Sequence, residues 1–381
     1  MSSRPRSILP CLALLVAPAL LVASALLVVP ALSAGSAGAA PAASAPWAAP
    51  WAALWAAPWP DPAGITGVRV ETVAFPSASP FSPASLPPPG HGQDAGPAST
   101  TTGRLYLPPG ARPNHAAPAV VLLHGAAGLV RERGDAYGPQ LAALGVAVLV
   151  VDSFGSRPAL NTSFTGRLLN ITETMLVADA YGALRYLAAR PETDARRAVL
   201  AGFSYGGMAA MYALYAQLAD RLAPPGLRFA GHVSFYGPCI ARFADSRTTG
   251  APLLMLYGAE DELIRPARCD EVAADLRAGG SEVDVVSYPG AVHQWDGGLE
   301  RQMIGRNLSP CRFTVERDGT IRDDRTLLPM DGPFLRKVTL GLCVEDKPYP
   351  IGRDGQVRAR SNHDLGRFLA RVFKARGTAA Q

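Results

Sequence analysis

The stretch Ala198-Val199-Leu200-Ala201-Gly202-Phe203-Ser204-Tyr205-Gly206-Gly207 decides how this chain is read. An apolar run of strand type ends at Gly202, and a helical pattern from Met208 to about Ala219 follows at once. Between them lies Gly-x-Ser-x-Gly, with Ser204 at its centre. A serine on a sharp strand-to-helix turn is lifted clear of its sheet, and flanking glycines leave room for the turn and for close helix packing. The backbone N–H of Tyr205 then points at whatever Ser204 attacks. Five residues alone are a weak signal in a chain with 38 glycines. The strand before and the helix after give the pattern its weight.

Working outward, the same alternation recurs on both sides. Ala119–Leu123 is fully apolar, as a strand buried on both faces must be, and it runs into His124-Gly125-Ala126-Ala127-Gly128. A helix near Tyr137–Leu144 leads to a second buried strand, Val146–Val151, and helical spacing covers Thr172–Ala189. Beyond the serine, strands are expected at Phe229–Phe235, Leu253–Tyr257 and Val283–Tyr288, with a helix at Pro266–Ala278. A closing helix at Asn362–Lys374 follows from the spacing of Leu365, Phe368, Leu369 and Val372 on one face. Such alternation implies an α/β fold, a mostly parallel central sheet with helices on both faces. Ahead of it, Val68–Phe75 and Thr102–Leu107 read as two more strands separated by a Pro/Ser/Gly-rich loop, Pro76–Ser99.

A serine hydroxyl needs a base, an orienting acid and donors for the oxyanion. In open α/β sheets these groups sit just past the carboxyl ends of strands. After Leu253–Tyr257 come Gly258-Ala259-Glu260-Asp261-Glu262, and after Val283–Tyr288 come Pro289-Gly290-Ala291-Val292-His293. Ser204, Asp261 and His293 therefore stand in the chain order of an α/β-hydrolase arrangement. Glu260 and Glu262 flank the chosen acid and read as surface carboxylates; His232 sits mid-strand and reads as a core histidine. The second oxyanion donor is expected from the turn after His124, with the N–H of Ala126 beside that of Tyr205. His124 and Arg157 are candidates for contact with substrate.

The rest of the composition excludes more than it assigns. The chain has 381 residues and a net charge of +5, and its basic residues are scattered arginines with only three lysines. Nucleic-acid binding is unsupported. No His-x-x-x-His or Cys-x-x-Cys spacing suggests a metal, and no glycine-rich turn matches a phosphate loop, so no cofactor is expected.

Residues 1–40 read as an export signal: Arg4 and Arg6 precede an apolar run from Ile8 to Leu32, and small residues follow. Without cleavage the same run is an anchor. Residues 41–64 form an Ala/Pro/Trp-rich linker outside the fold, with Trp47, Trp51, Trp55 and Trp59 spaced by four. It is either plain linker or a segment touching membrane or cell wall. Residues 65–381 then form the folded domain, with an insertion around 297–360.

The motifs taken together resemble the dienelactone hydrolase family. They are Leu122-Leu123-His124-Gly125, Asp152-Ser153-Phe154-Gly155-Ser156-Arg157, Gly202-Phe203-Ser204-Tyr205-Gly206-Gly207, Tyr257-Gly258 with Asp261, and Tyr288-Pro289-Gly290-Ala291-Val292-His293. The resemblance covers about residues 65–296. It implies an α/β-hydrolase fold and hydrolysis of small carboxylic esters or lactones without a cofactor. The enzymes that name the family use a cysteine nucleophile and arginines that hold a substrate carboxylate; this chain has Ser204 at the nucleophile position, and its sequence does not place the matching arginines. A broader exported esterase, periplasmic or extracellular, is therefore expected. A peptidase of the same fold and a non-catalytic surface binding protein are the alternatives.

An exported chain keeping Cys239, Cys269, Cys311 and Cys343 suggests two disulfides, for which three pairings exist. Cys239 and Cys269 fall near one sheet edge, while Cys311 and Cys343 bracket the extra segment, so these two pairs are expected. Within that segment Arg317-Asp318-Gly319 between Phe313–Glu316 and Thr320-Ile321 signals a hairpin.

Overall fold

The computed structural model describes residues 58–88 and 98–378; the expected export signal and Trp47, Trp51 and Trp55 lie outside the described residues. The strands are β1 (Arg69–Ala78), β2 (Ala98–Leu107), β3 (Ala117–Leu123), β4 (Ala147–Asp152), β5 (Thr193–Phe203), β6 (Gly231–Phe235), the short β7 (Ala241–Phe243), β8 (Leu253–Gly258) and β9 (Val283–Tyr288). Between them run α1 (Gly134–Ala143), α2 (Phe164–Asn170), α3 (Glu173–Ala188), α4 (Tyr205–Tyr212), α5 (Ala216–Leu222) and α6 (Pro266–Ala278). An eight-stranded sheet has the order β1-β2-β4-β3-β5-β6-β8-β9. Its β1–β2 and β2–β4 pairings are antiparallel, and the others are parallel. This is the α/β-hydrolase architecture.

The apolar runs are explained by what covers them. Successive side chains of a strand face opposite ways. Val121, Leu123, Leu149, Val151 and Leu200 join α3 and α4 in one core. Val120, Leu122, Val148, Val150, Val199 and Phe203 join α1 and a C-terminal helix, α8 (Gly355–Thr378), in the other. A strand buried on both faces can spare no polar position, and each Leu or Val so buried contributes roughly 1.5–3 kcal/mol.

Three boundaries differ from the sequence reading. The Pro76–Ser99 loop is shorter, because β1 and β2 stay paired as far as Ala78↔Ala98, with Pro76 opposite Thr100. A proline is tolerated there because β1 is an edge strand. The helix after Ser204 starts at Tyr205 and breaks after Tyr212 instead of running to Ala219. Leu214 O and Ala216 N are hydrogen-bonded to Thr249 N and Arg247 O, which draws that turn out of the helix. The closing helix begins earlier than Asn362, where the Asp354 carboxylate accepts from the N–H groups of Gln356 and Val357.

The end of the expected linker is not outside the fold. Trp59 is buried edge-on against Tyr137 at 6.0 Å, and Gln140 Nε2 donates to Pro60 O. That indole is thus not available to a membrane or cell wall. Among the described residues no helix is long and apolar enough to cross a membrane.

Residues 297–360 carry β10 (Gln302–Ile304), β11 (Phe313–Val315), β12 (Ile321–Asp323), α7 (Gly332–Cys343) and β13 (Tyr349–Ile351). β12, β11 and β7 make one small sheet, and β10 pairs with β13. Two disulfides, Cys239–Cys269 and Cys311–Cys343, brace this side of the molecule, as suits a protein of an oxidising compartment.

Candidate active site

Ser204 stands between β5 and α4 at φ 50° and ψ −110°. A non-glycine residue in this region costs of order 1–3 kcal/mol and persists only where its surroundings hold it. Here its N–H donates to Phe235 O at 2.8 Å. The glycines on either side are sterically required. A Cβ on Gly202 would lie 2.1 Å from Gly206 O, and one on Gly206 would lie 2.6 Å from the carbonyls of both Leu123 and His124.

The turns after β8 and β9 bring an acid and an imidazole to this serine. His293 Nε2 is 3.0 Å from Ser204 Oγ. His293 Nδ1 is 2.7 Å from Asp261 Oδ2, and the other carboxylate oxygen accepts from Leu263 N at 2.9 Å. With Nδ1 carrying the proton toward Asp261, Nε2 is left as an acceptor for the serine hydroxyl. Asp261 and His293 side chains are almost fully buried, whereas Ser204 is only partly buried. The arrangement can therefore remove a proton from Ser204 at a point that a substrate reaches.

The loop after β3 closes the other side. A Cβ on Gly125 would sit 3.5 Å from Ser204 Cβ, and Gly128 N donates to Gly125 O across a tight turn. This brings Gly125, the neighbour of Ala126, against the serine. The Tyr205 N–H, at the first position of α4, has no acceptor within its own helix.

The two candidates for substrate contact are corrected by their surroundings. Every N–H of the Arg157 guanidinium is engaged internally. It donates to Ser79 Oγ, Ser153 O and Ala78 O, and grips both oxygens of Asp179 at 2.7 and 2.8 Å. None is left for a substrate anion. His124 is buried with its ring 4.4 Å from that of Phe154 and its Nδ1 2.9 Å from Gly125 O. Burial lowers its pKa, so it is a neutral packing element under the loop.

Other residues surround His293 without any local sequence signal. The Tyr236 ring meets His293 edge-on at 4.7 Å and its hydroxyl donates to the fully buried Asp296 at 2.5 Å. Arg133 Nε donates to the Tyr236 hydroxyl at 2.9 Å, and Arg133 Nη2 donates to Gln294 Oε1 at 3.2 Å. Tyr236 and Gln294 are themselves at φ 41° and 66°. Three strained non-glycine residues thus converge on one site, as functional sites often show.

The insertion reaches the loops that carry His293 and Asp261 and the helix that follows Ser204. Gly352 N donates to His293 O at 3.0 Å, and Tyr349 lies edge-on to the His293 ring at 5.9 Å. Glu260 and Glu262 beside the acid pair with Arg301 and Lys347 of the insertion. Arg336 of α7 is buried, grips Glu173 at 2.8 and 3.0 Å, and donates to the Tyr205 hydroxyl at 3.3 Å. Among the described residues no cluster of three or more His, Cys, Asp or Glu side chains could hold a metal ion.

A model of the dienelactone hydrolase family matches residues 103–299. No curated protein matches the chain. Among solved structures it is similar to a dienelactone hydrolase-like promiscuous phosphotriesterase from metagenomic libraries. The two are 20% identical over 60% of this chain and 85% of that one, with a TM-score of 0.42. It is similar also to a propionate-bound thermophilic esterase of Thermogutta terrifontis, 18% identical over 51% of this chain and 80% of that one, with a TM-score of 0.40. An acylaminoacyl peptidase of Pyrococcus horikoshii is 17% identical over 60% of this chain and 38% of that one, with a TM-score of 0.41.

Proposed function

The chain belongs to the dienelactone hydrolase family and is a hydrolase of ester bonds, and on that premise we propose that it is an exported serine esterase working through an acyl-enzyme. The observation that carries this reading is the hydrogen-bonded chain Ser204–His293–Asp261 on a strained strand-to-helix turn. Ser204 Oγ attacks the ester carbonyl while His293 Nε2 takes its proton. Asp261 holds the imidazole in the required tautomer and stabilises it once charged. The N–H groups of Tyr205 and Ala126 hold the tetrahedral oxyanion, each worth ~3 kcal/mol of barrier. Collapse breaks the carbonyl–alkoxy bond, and His293 returns its proton to the departing alcohol. Water, activated by the same imidazole, then releases the carboxylic acid.

A serine in place of the family's namesake cysteine fits this base-assisted route, because a hydroxyl needs His293 where a thiolate is already ionised. Export is supported by the signal-like residues 1–40 and by the two disulfides. Small carboxylic esters or lactones are the proposed substrates. Fluorophosphonate labelling of the mature protein beside Ser204→Ala tests the reading. Labelling of the wild type alone is expected; equal labelling of both, or of neither, defeats it.

A further inference from the structure

We propose that Tyr349, brought to the site by the insertion, is the wall against which the leaving alcohol rests, and that it sets the enzyme's selectivity for the alcohol half of an ester. This rests on the serine-esterase reading. In that reaction the proton taken from Ser204 passes from His293 Nε2 to the alkoxy oxygen as the carbonyl–alkoxy bond breaks, and the acyl carbon stays on Ser204 Oγ. The alkoxy group must therefore lie on the His293 side of the carbonyl. Of the two tyrosine rings beside His293, Tyr236 is fully buried, and Tyr349 is the one that keeps some exposure and can meet the alcohol.

Tyr349 stands beside the imidazole on a fixed support. Its ring lies edge-on to the imidazole at 5.9 Å and 84°. Its strand is tied to the histidine itself, because Ile351 bridges in parallel to His293 and Gly352 N donates to His293 O. On the far side Tyr349 pairs with Ile304 across the β10–β13 ladder. Gly305, at φ 68°, leaves its ring space: a Cβ there would come within 3.3 Å of Tyr349 Cε1. The phenol pKa is pushed up to about 12, by burial first and then by the nearby Asp261 charge. The group stays neutral wherever the triad works, so it is a wall with a polar tip and not a competing base.

The two chemical steps separate this role from general stabilisation. During acylation the alkoxy group presses on Tyr349; during deacylation only water occupies that position. The experiment compares kcat/KM for acetates of alcohols of increasing bulk and for methyl esters of increasing acyl length. Wild type, Tyr349→Ala and Tyr349→Phe are assayed on both series, with melting curves for each. Tyr349→Ala is expected to raise the bulky-to-methyl alcohol ratio about tenfold, the size of effect a pocket wall commands. The acyl-length ratio and the deacylation rate from the common acetyl-enzyme should stay at wild-type values, and Tyr349→Phe should keep the wild-type alcohol ratio. Should alanine prevent folding, Tyr349→Leu is used, and a shift in the same direction is expected. A folded variant with an unchanged alcohol ratio, or with the acyl ratio moved instead, overturns the inference alone. A wild type that hydrolyses no ester overturns the serine-esterase reading and this inference with it.

Discussion

The central sheet and the segment at 297–360 border the same site, but the sheet is held by apolar burial on both faces and the segment by a smaller apolar contact supplemented by ion pairs. Ser204, Asp261 and His293 sit at the ends of β5, β8 and β9, strands locked between two apolar cores. The insertion has strands of only three residues. It shares the first of those cores through Cys311, Phe313, Val315, Met330 and Cys343, is tied to the sheet's loops by the Arg336–Glu173, Arg301–Glu260 and Lys347–Glu262 pairs, and is closed on itself by the Cys311–Cys343 bridge. Apolar burial on both faces fixes where the reacting atoms stand, and it does so without choosing particular side chains. A smaller apolar contact and the buried Arg336–Glu173 pair fix what surrounds them, and the pair depends on each partner by name.

The sharpest way to break that division is to alter chemistry without altering packing. Asp261→Asn keeps the volume and can still accept from Leu263 N, so the sheet end should fold as before. The amide no longer favours the Nδ1–H tautomer, and kcat is expected to fall by about 10⁴. The check is kcat with an activated ester, together with the denaturation midpoint. A loss under about tenfold would mean that Asp261 does not orient the base.

The contrast next predicts unequal costs within the insertion itself. Arg336 and Glu173 are both nearly buried, so Arg336→Met strands a carboxylate without its partner and should cost about 3–5 kcal/mol in urea unfolding. Arg301 and Glu260 are more than half exposed, and Arg301→Ala should stay within about 1 kcal/mol. Equal costs for the two variants would show that the insertion is not anchored through α7.

This division also explains what could be read from the chain beforehand. Ala119–Leu123, Val146–Val151 and Ala198–Gly202 announce themselves because strands covered twice must be apolar throughout. The turns that follow them then carry the reactive side chains, so the order Ser204, Asp261, His293 was legible with the sheet. Tyr349 was not. It stands between Pro348 and Pro350 in a three-residue strand, and only the long-range pairings of that strand, Ile351 with His293 and Tyr349 with Ile304, give it a place. Arg157 misled because an arginine after a strand end looks the same whether it greets a ligand or grips Asp179. Helix α7 hid for another reason: its most buried positions are Arg336, Thr339 and Cys343, while Phe334 and Leu342 face solvent, so no clean apolar stripe marks the buried face.

Acid should loosen the sheet rather than the insertion, which contains no histidine. His232 lies on β6, fully buried, with Nδ1 2.9 Å from Ala210 O. Burial pushes its pKa down to about 4, against about 6.5 in an unfolded chain. Between those values the unfolded chain binds a proton that the folded protein refuses. Its contribution to stability is therefore complete above about pH 6.5 and is lost as pH falls toward 4, by roughly 3 kcal/mol in all. His124, also buried and lowered, adds in the same direction. In His232→Asn the side-chain amide can still donate to Ala210 O but does not titrate. Unfolding free energy measured by urea from pH 4 to 7 should fall more steeply toward acid for the wild type than for this variant. Parallel curves would show that the buried imidazole does not set the acid limit, and that the loss of stability starts among the ion pairs on the insertion side.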